Sequence, residues 1–102
     1  MEKRGGENLK TIIVACGAGV ATSTIITFNI EKLLDEESIK YRIIQCSLRE
    51  VKSYEDQGEL IVSSMPLQGN YKIPTVLGLS FITGMGIDET KNEILSYLKE
   101  EG

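Results

Sequence analysis

The feature that most constrains the fold is a short β-branched apolar run that ends in a cysteine. Residues 10–15 have the length and composition of a buried strand, and Cys16 follows them directly. The chain then reads Gly-Ala-Gly-Val-Ala-Thr-Ser-Thr before helical spacing begins. A strand, a small-residue loop and a helix in this order place the thiol where backbone N–H groups can converge on an anion.

The rest of the chain alternates predicted strands and helices. After the first strand we predict a helix over 23–36, a strand over 41–46, a short helix over 48–57, strands over 59–63 and 73–77, and a last helix over 88–99. Thr22, Ser23 or Thr24 is expected to cap the first helix, Gly58 to end the second and Asp88 to cap the last. This alternation predicts an α/β fold with a mainly parallel sheet. Such sheets bind ligands at the carboxyl ends of their strands, which is where Cys16 stands.

Length and charge limit the function classes. The 102 residues make one domain, with 1–9 as a flexible arm and 10–102 as the folded unit. The net charge of −4 makes nucleic acid an unexpected partner. No apolar run is long enough to span a bilayer and no signal peptide is evident, so we expect a cytoplasmic protein without direct membrane insertion.

The chain contains no histidine and two cysteines, Cys16 and Cys46. Histidine-based metal sites and Cys-His catalysis are therefore excluded, and the cysteine spacing fits no metal site. We expect no cofactor and no metal, and two free thiols in a reducing compartment. Cys46 ends a predicted strand without activating neighbours, so it is expected to serve packing.

The loop after Cys16 allows three functions. A dinucleotide-binding turn is disfavoured because Thr22 replaces the third glycine and Cys46 stands where an acidic residue would bind ribose. The spacing from Cys16 to Ser23 matches low-molecular-weight cysteine phosphatases, but their arginine is replaced by Thr22 and no Asp-Pro pair supplies a general acid. The third function is a phosphoryl carrier.

The carrier hypothesis follows from what the loop contains. A thiol at a helix N-terminus is expected to have a lowered pKa and to be nucleophilic. Loop N–H groups and the hydroxyls of Thr22, Ser23 and Thr24 could hold a phosphoryl group on the sulfur. Without an arginine or a general acid, that phosphocysteine should persist until it is passed on.

Two segments resemble a known family. Residues 12–24, IIVACGAGVATST, and the segments 73–78 and 81–87, IPTVLG and FITGMGI, are similar to the enzyme IIB components of the phosphoenolpyruvate-dependent sugar phosphotransferase system. The Val-Ala-Thr-Ser-Thr portion is similar to the galactitol-specific IIB family in particular. The resemblance covers nearly all of the chain after the N-terminal arm.

The resemblance implies a fold, an activity and partners. The fold would be a four-stranded parallel sheet of order 2-1-3-4 flanked by helices, related to the low-molecular-weight phosphatases. Its edge fourth strand would suit Pro74, which cannot donate to a ladder. Cys16 would accept a phosphoryl group from a phosphohistidine of a IIA protein. It would pass the group to a sugar or polyol, galactitol in the family's name, bound by the membrane IIC protein during uptake.

The resemblance also implies site residues. Cys16 would be the nucleophile of this protein-phosphocysteine–sugar phosphotransferase. The phosphate-binding loop would comprise Gly17, Ala18, Gly19, Val20, Ala21, Thr22, Ser23 and Thr24. A non-catalytic regulatory module of the same fold is a further alternative.

Other residues near the expected site have open roles. Ser63 and Ser64 could line the site or only form a loop. The apolar stretch 79–85 could pack under the last helix or dock a partner.

Overall fold

The computed structural model of the chain describes residues 9–17, 20–67 and 69–99, and only the backbone of residues 20–23. Most of the predicted 1–9 arm lies outside these ranges. The elements are strands β1 (Lys10–Cys16), β2 (Tyr41–Ser47), β3 (Leu60–Ser63) and β4 (Thr75–Leu77), and helices α1 (Val20–Glu36), α2 (Val51–Tyr54), α3 (Ser80–Thr83) and α4 (Ile87–Lys99). Within the described ranges, no helix combines the length and hydropathy that crossing a bilayer requires.

The four strands form one parallel sheet of order β2-β1-β3-β4, which confirms the predicted α/β class and strand order. β1 is a central strand, and residues 11–16 on it are buried. A strand with helices over both sheet faces needs a continuous apolar run rather than alternation, and the run after Lys10 supplies it.

The sheet separates two apolar clusters. Ile12 and Val14 face the larger cluster, which the buried side of α1 and residues of α4 complete. Ile13 and Ala15 face the smaller cluster, which includes Val51 of α2. Alternate residues of β1 therefore anchor helices on opposite faces and hold the carboxyl end of the strand in a fixed place.

Strand β4 is the edge predicted from Pro74. The proline stands just before the strand, and its carbonyl accepts a hydrogen bond of 3.0 Å from the Ile61 N–H. Pairing with β3 then runs from Thr75 to Leu77. The missing N–H of Pro74 thus costs no hydrogen bond within the sheet.

Two predicted N-caps are wrong. Helix α1 begins at Val20 rather than near Ser23, so Thr22, Ser23 and Thr24 lie inside the helix. Helix α4 begins at Ile87, so Asp88 lies in its first turn and not at the cap. A serine or threonine inside a helix costs only about 0.7 kcal/mol or less relative to alanine. The preference of such residues for caps therefore does not fix where a helix starts.

The predicted 48–57 helix is only partly present. It is the single-turn α2 followed by a 3₁₀ turn over Glu55–Gln57. Gly58 ends the segment in an extended conformation with φ of −126°, not as the expected left-handed cap. A Cβ on Gly58 would lie 2.8 Å from Ile13 Cδ1 and 3.1 Å from the Thr11 carbonyl oxygen. Glycine is needed there because the chain passes closely over β1.

Gly78, directly after β4, allows a test of packing at the carboxyl edge of the sheet. A Cβ there would lie 2.8 Å from Val62 Cγ1, a buried and rotamerically stiff side chain. Gly78→Ala is expected to lower the free energy of unfolding by about 1–3 kcal/mol. Val62→Ala should cost about 2 kcal/mol through two lost methyl groups and a cavity.

The double variant is the informative measurement. Removing Cγ1 of Val62 makes room for the new methyl group, so the double variant should lose less stability than the two single variants together, by about 0.5 kcal/mol or more. Urea unfolding of all four proteins measures this coupling. Strict additivity would contradict the contact.

Candidate active site

The site is built on a row of residues at the carboxyl edge of the sheet. Cys16 is the last residue of β1 and pairs in register with Ser47 of β2. On the other side Ala15 pairs with Ser63, and the Ser64 N–H donates to the Ala15 carbonyl over 3.0 Å. The next position in the register sets Ser64 beside Cys16. The thiol is therefore flanked by two serines from the neighbouring chain segments.

Cys16 lies in the larger apolar cluster, on the side of the sheet that α1 covers, and only 8% of it is exposed. The next residue, Gly17, is exposed. A Cβ on Gly17 would lie 2.7 Å from Leu48 Cδ1 and 3.7 Å from Met65 Sδ. A side chain at position 17 would therefore require the tip of Leu48 to shift, whereas glycine fits without that displacement.

The predicted phosphate-binding loop falls partly outside the described residues. Gly17 lies next to the thiol, whereas Ala18 and Gly19 are outside the described part of the chain. Helix α1 begins at Val20, four positions after Cys16. Its first four N–H groups have no intrahelical acceptor and carry the positive end of the helix dipole. A connection of three residues therefore separates the strand that carries the thiol from this end of the helix.

The hydroxyl residues of the predicted loop belong to α1. Thr22 lies in its first turn, where its backbone N–H is among those without an intrahelical partner, and Ser23 follows as the next helical residue. Thr24 is exposed in the same helix. The helix starts three residues earlier than the predicted start at residue 23, so the predicted phosphate-binding segment extends further into the helix than expected.

The expectation of a lowered pKa for Cys16 is also wrong. Burial raises the pKa of the Cys16 thiol, and an interaction with the Ser64 hydroxyl lowers it by less. The loss of hydration outweighs the one described polar neighbour. At neutral pH the resting protein therefore holds mainly the thiol form of Cys16.

The two serines after β3 have different surroundings. The Ser63 hydroxyl donates to the Met65 carbonyl and shapes the turn that carries Met65 toward Gly17. The Ser64 hydroxyl is buried, and among the described residues it completes no hydrogen bond. Its interaction with the thiol is thus a close approach without full hydrogen-bond geometry. No motif in the sequence marks Ser47, because only the strand register pairs it with Cys16.

Cys46 is free, like Cys16, which confirms the expectation of two free thiols. It packs half-buried against the smaller cluster, on the opposite side of the sheet, as expected for a packing residue. Burial, with the nearby Glu50 and Cys16, raises the pKa of Cys46 to about 11. The described residues contain no group of three or more histidine, cysteine or acidic side chains suited to a metal ion.

Alkylation by iodoacetamide should report these pKa shifts. Only the thiolate reacts, so both cysteines should react slowly at neutral pH and faster as the pH rises. The midpoint for Cys46 should lie near pH 11. The midpoint for Cys16 should lie above that of an ordinary cysteine, about 8.5. Peptide mass spectrometry resolves the two sites, and a Cys16 midpoint below the ordinary value would contradict the burial argument.

The apolar stretch 79–85 was expected either to pack under the last helix or to dock a partner, and its residues fall into a buried and an exposed group. Phe81 is buried in the larger cluster, whereas Leu79, Ile82 and Met85 are exposed. Helix α3 packs on α1, whose outer side exposes Ile25 and Phe28. We call these five exposed side chains the apolar patch. It adjoins the carboxyl edge of the sheet, because α3 follows β4 after only two residues.

A parallel four-stranded sheet with helices on its faces, and with a thiol at the carboxyl end of a central strand shortly before a helix begins, defines an α/β protein of the kind that binds ligands at this edge. Residues 11–93 match the family described as "PTS system, Lactose/Cellobiose specific IIB subunit". The chain belongs to this family and is an enzyme IIB component, a phosphotransferase of the sugar phosphotransferase system.

Individual relatives agree with this assignment. The galactitol-specific EIIB component of Escherichia coli K12 is 38% identical over 91 residues, covering 88% of this chain and 97% of the relative. SgcB of the same organism, named as a candidate IIB component, is 37% identical over 92 residues, covering 90% of this chain and all of SgcB. The ascorbate-specific EIIB component of Mycoplasma pneumoniae is 32% identical over 60 residues, covering 59% of this chain and 63% of the relative.

Proposed function

We propose that Cys16 carries the phosphoryl group in this IIB component. It would accept the group from a phosphohistidine of a IIA protein and pass it to a sugar or polyol bound by a membrane IIC protein. The observation that carries this proposal is the position of Cys16. Its thiol ends a central strand four positions before the N-terminus of α1, where unpaired N–H groups can bind phosphoryl oxygens.

The raised pKa of Cys16 is compatible with this chemistry. In the first transfer the S–P bond forms as the N–P bond to the donor imidazole breaks. The imidazole nitrogen takes the electron pair of that bond and can accept the thiol proton. In the second transfer the acceptor hydroxyl oxygen forms the new O–P bond, the sulfur leaves with the S–P electron pair, and the hydroxyl proton is released to a base or to the thiolate. Neither step needs an acid from this chain.

The phosphate-binding loop is proposed to run from Gly17 to Thr24. Gly17 lets the chain pass Leu48, and the unpaired N–H groups in the first turn of α1 would bind the phosphoryl oxygens. The IIB domain is proposed to comprise 10–102. The absence of arginine at Thr22 favours storage of the phosphoryl group over its hydrolysis.

Galactitol is the proposed substrate. Three relatives that each align over 88% of this chain at 37–38% identity are named galactitol-specific. The family itself is described by lactose and cellobiose, so family membership alone does not select a sugar. Comparison of phosphoryl transfer to galactitol, lactose and cellobiose, in vesicles containing the cognate IIC protein, tests this choice.

The apolar patch is proposed to receive the IIA donor. Its five side chains lie on α1 and around α3, beside the edge that holds Cys16, and Met85 is 76% exposed. A donor histidine must approach this edge to reach the sulfur, so its protein has to cover neighbouring surface. We also propose that the exchange with IIA and IIC takes place in the cytoplasm.

The experiment that tests the function as a whole is reconstitution. The protein is mixed with phosphoenolpyruvate, the general phosphotransferase proteins and a IIA protein, and we expect one phosphoryl group per chain and negligible turnover of p-nitrophenyl phosphate. Steady hydrolysis of p-nitrophenyl phosphate that Cys16→Ala abolishes would instead support a phosphatase. Absence of labelling by every IIA protein would refute the carrier function.

A further inference from the structure

We propose that Ser64 is a catalytic hydrogen-bond donor of this site. Its hydroxyl would donate to Cys16 Sγ when the sulfur is a thiolate and to a phosphoryl oxygen when Cys16 is phosphorylated. The second half of this inference rests on the proposed role of Cys16, whereas the first half does not.

The strand register holds Ser64 beside the thiol. The Ser64 N–H is fixed on the Ala15 carbonyl at 3.0 Å, one position beyond the last β1–β3 pair. In parallel strands, residues at matching positions direct their side chains to the same side of the sheet. The Ser64 hydroxyl therefore shares with Cys16 the side that α1 covers.

The hydroxyl is buried and unused in the resting protein. Ser64 is 8% exposed, and its Oγ has no hydrogen-bond partner among the described residues. A buried hydroxyl without a partner is unfavourable and is rare in native proteins. The neighbouring Ser63 hydroxyl, by contrast, is satisfied by the Met65 carbonyl. The Ser64 hydroxyl is thus free to donate a hydrogen bond when Cys16 Sγ, or a phosphoryl group on it, becomes negatively charged.

Cys16 becomes a stronger hydrogen-bond acceptor when it loses its proton or carries a phosphoryl group. A protonated thiol is a weak acceptor, whereas a thiolate and a phosphoryl oxygen are charged and form stronger, shorter hydrogen bonds. The donor would therefore stabilise the charged states of Cys16 more than the resting thiol. Ser64 lowers the pKa of Cys16, as expected if its hydroxyl stabilises the thiolate more than the thiol.

Few ionisable groups lie where they could also change the pKa of Cys16. The stretches 20–30, 60–67 and 75–83, which surround the row from α1, β3 and β4, contain no charged residue. Among the described residues, the ionisable neighbours come from the end of β2 and the turn after it: Cys46, which interacts with Cys16, and Glu50. The Glu50 carboxylate accepts the Ser47 N–H over 3.1 Å.

Alkylation of Cys16 across pH, in a Cys46→Ser background, tests the first half. Ser64→Ala should raise the alkylation midpoint of Cys16 and slow alkylation at a fixed pH below it. Ser47→Ala is the matched control, because it removes the same group from the other flank of Cys16 and should leave the midpoint unchanged. An unchanged midpoint in Ser64→Ala, or an equal shift in Ser47→Ala, would overturn the proposal.

Folding and transfer complete the test. Ser64→Ala removes an unpartnered hydroxyl, so its urea unfolding midpoint should equal or exceed that of the parent, and a clear decrease would mean a structural role. Labelling by IIA should slow roughly tenfold or more in Ser64→Ala, the size of one hydrogen bond to a charged group. A normal labelling rate would overturn the second half. If the parent protein takes no label, the proposed function fails, while the alkylation result still decides the contact with sulfur.

Discussion

Replacing Cys16 with serine is expected to abolish phosphoryl transfer through this protein. A serine hydroxyl ionises far less readily than a thiol and is a weaker nucleophile at neutral pH. Any phosphoserine that formed would also be a poor donor, because its oxygen leaves less easily than sulfur. Transfer to the sugar should fall on the order of 10⁴-fold or more, as when other enzymes lose their nucleophile. The measurement is phosphoenolpyruvate-dependent phosphorylation of galactitol with IIA and IIC present.

Cys46→Ser is the matched control for this variant. It makes the same atomic change at a half-buried thiol on the opposite side of the sheet, so transfer should stay within a few-fold of the parent. Both variants should unfold cooperatively. Transfer that survives Cys16→Ser, or disappears in Cys46→Ser, would contradict the assignment of the nucleophile.

Replacing Ile30 with alanine is expected to cause a large loss of stability, because it removes packing between α1 and the sheet. Ile30 has no exposed surface and lies in the cluster that packs α1 on the sheet. Truncating a fully buried isoleucine costs about 2–5 kcal/mol through lost burial and the cavity left behind. A domain of this size has a total stability of roughly 5–15 kcal/mol, so the unfolding midpoint in urea should fall markedly.

Phe28→Ala provides the comparison on the same helix. Phe28 is 63% exposed in the apolar patch, so its truncation should change the free energy of unfolding by about 0.5 kcal/mol or less. If the patch receives IIA, this variant should instead raise the IIA concentration needed for half-maximal labelling. A loss below about 1 kcal/mol in Ile30→Ala would contradict the packing of α1.

The architecture was predictable because its strongest signals are local. The apolar run after Lys10 requires a strand buried on both faces, and Pro74 excludes a central position for the last strand. Helix starts were less predictable, since Thr22, Ser23 and Asp88 are good caps yet also tolerate a helical backbone. The role of Gly58 depends on β1 passing beneath it, a contact between segments far apart in sequence.

In the site, too, some features are visible in the local sequence and others depend on contacts between distant segments. Cys16 stood out because a thiol between an apolar strand and a glycine-containing loop is unusual. Its raised pKa could not be predicted, since it depends on how completely the folded chain excludes water from the sulfur. The flanking positions of Ser47 and Ser64 depend on strand register, which no short motif encodes.

The location of the phosphoryl group tests the central claim most directly. The protein is labelled by phosphoenolpyruvate, the general phosphotransferase proteins and IIA, then digested under neutral conditions and analysed by mass spectrometry. We predict a single phosphoryl group, on the peptide that contains Cys16 and attached to its sulfur. A phosphoryl group on any other residue, or labelling of Cys16→Ser to the level of the parent, would contradict the account.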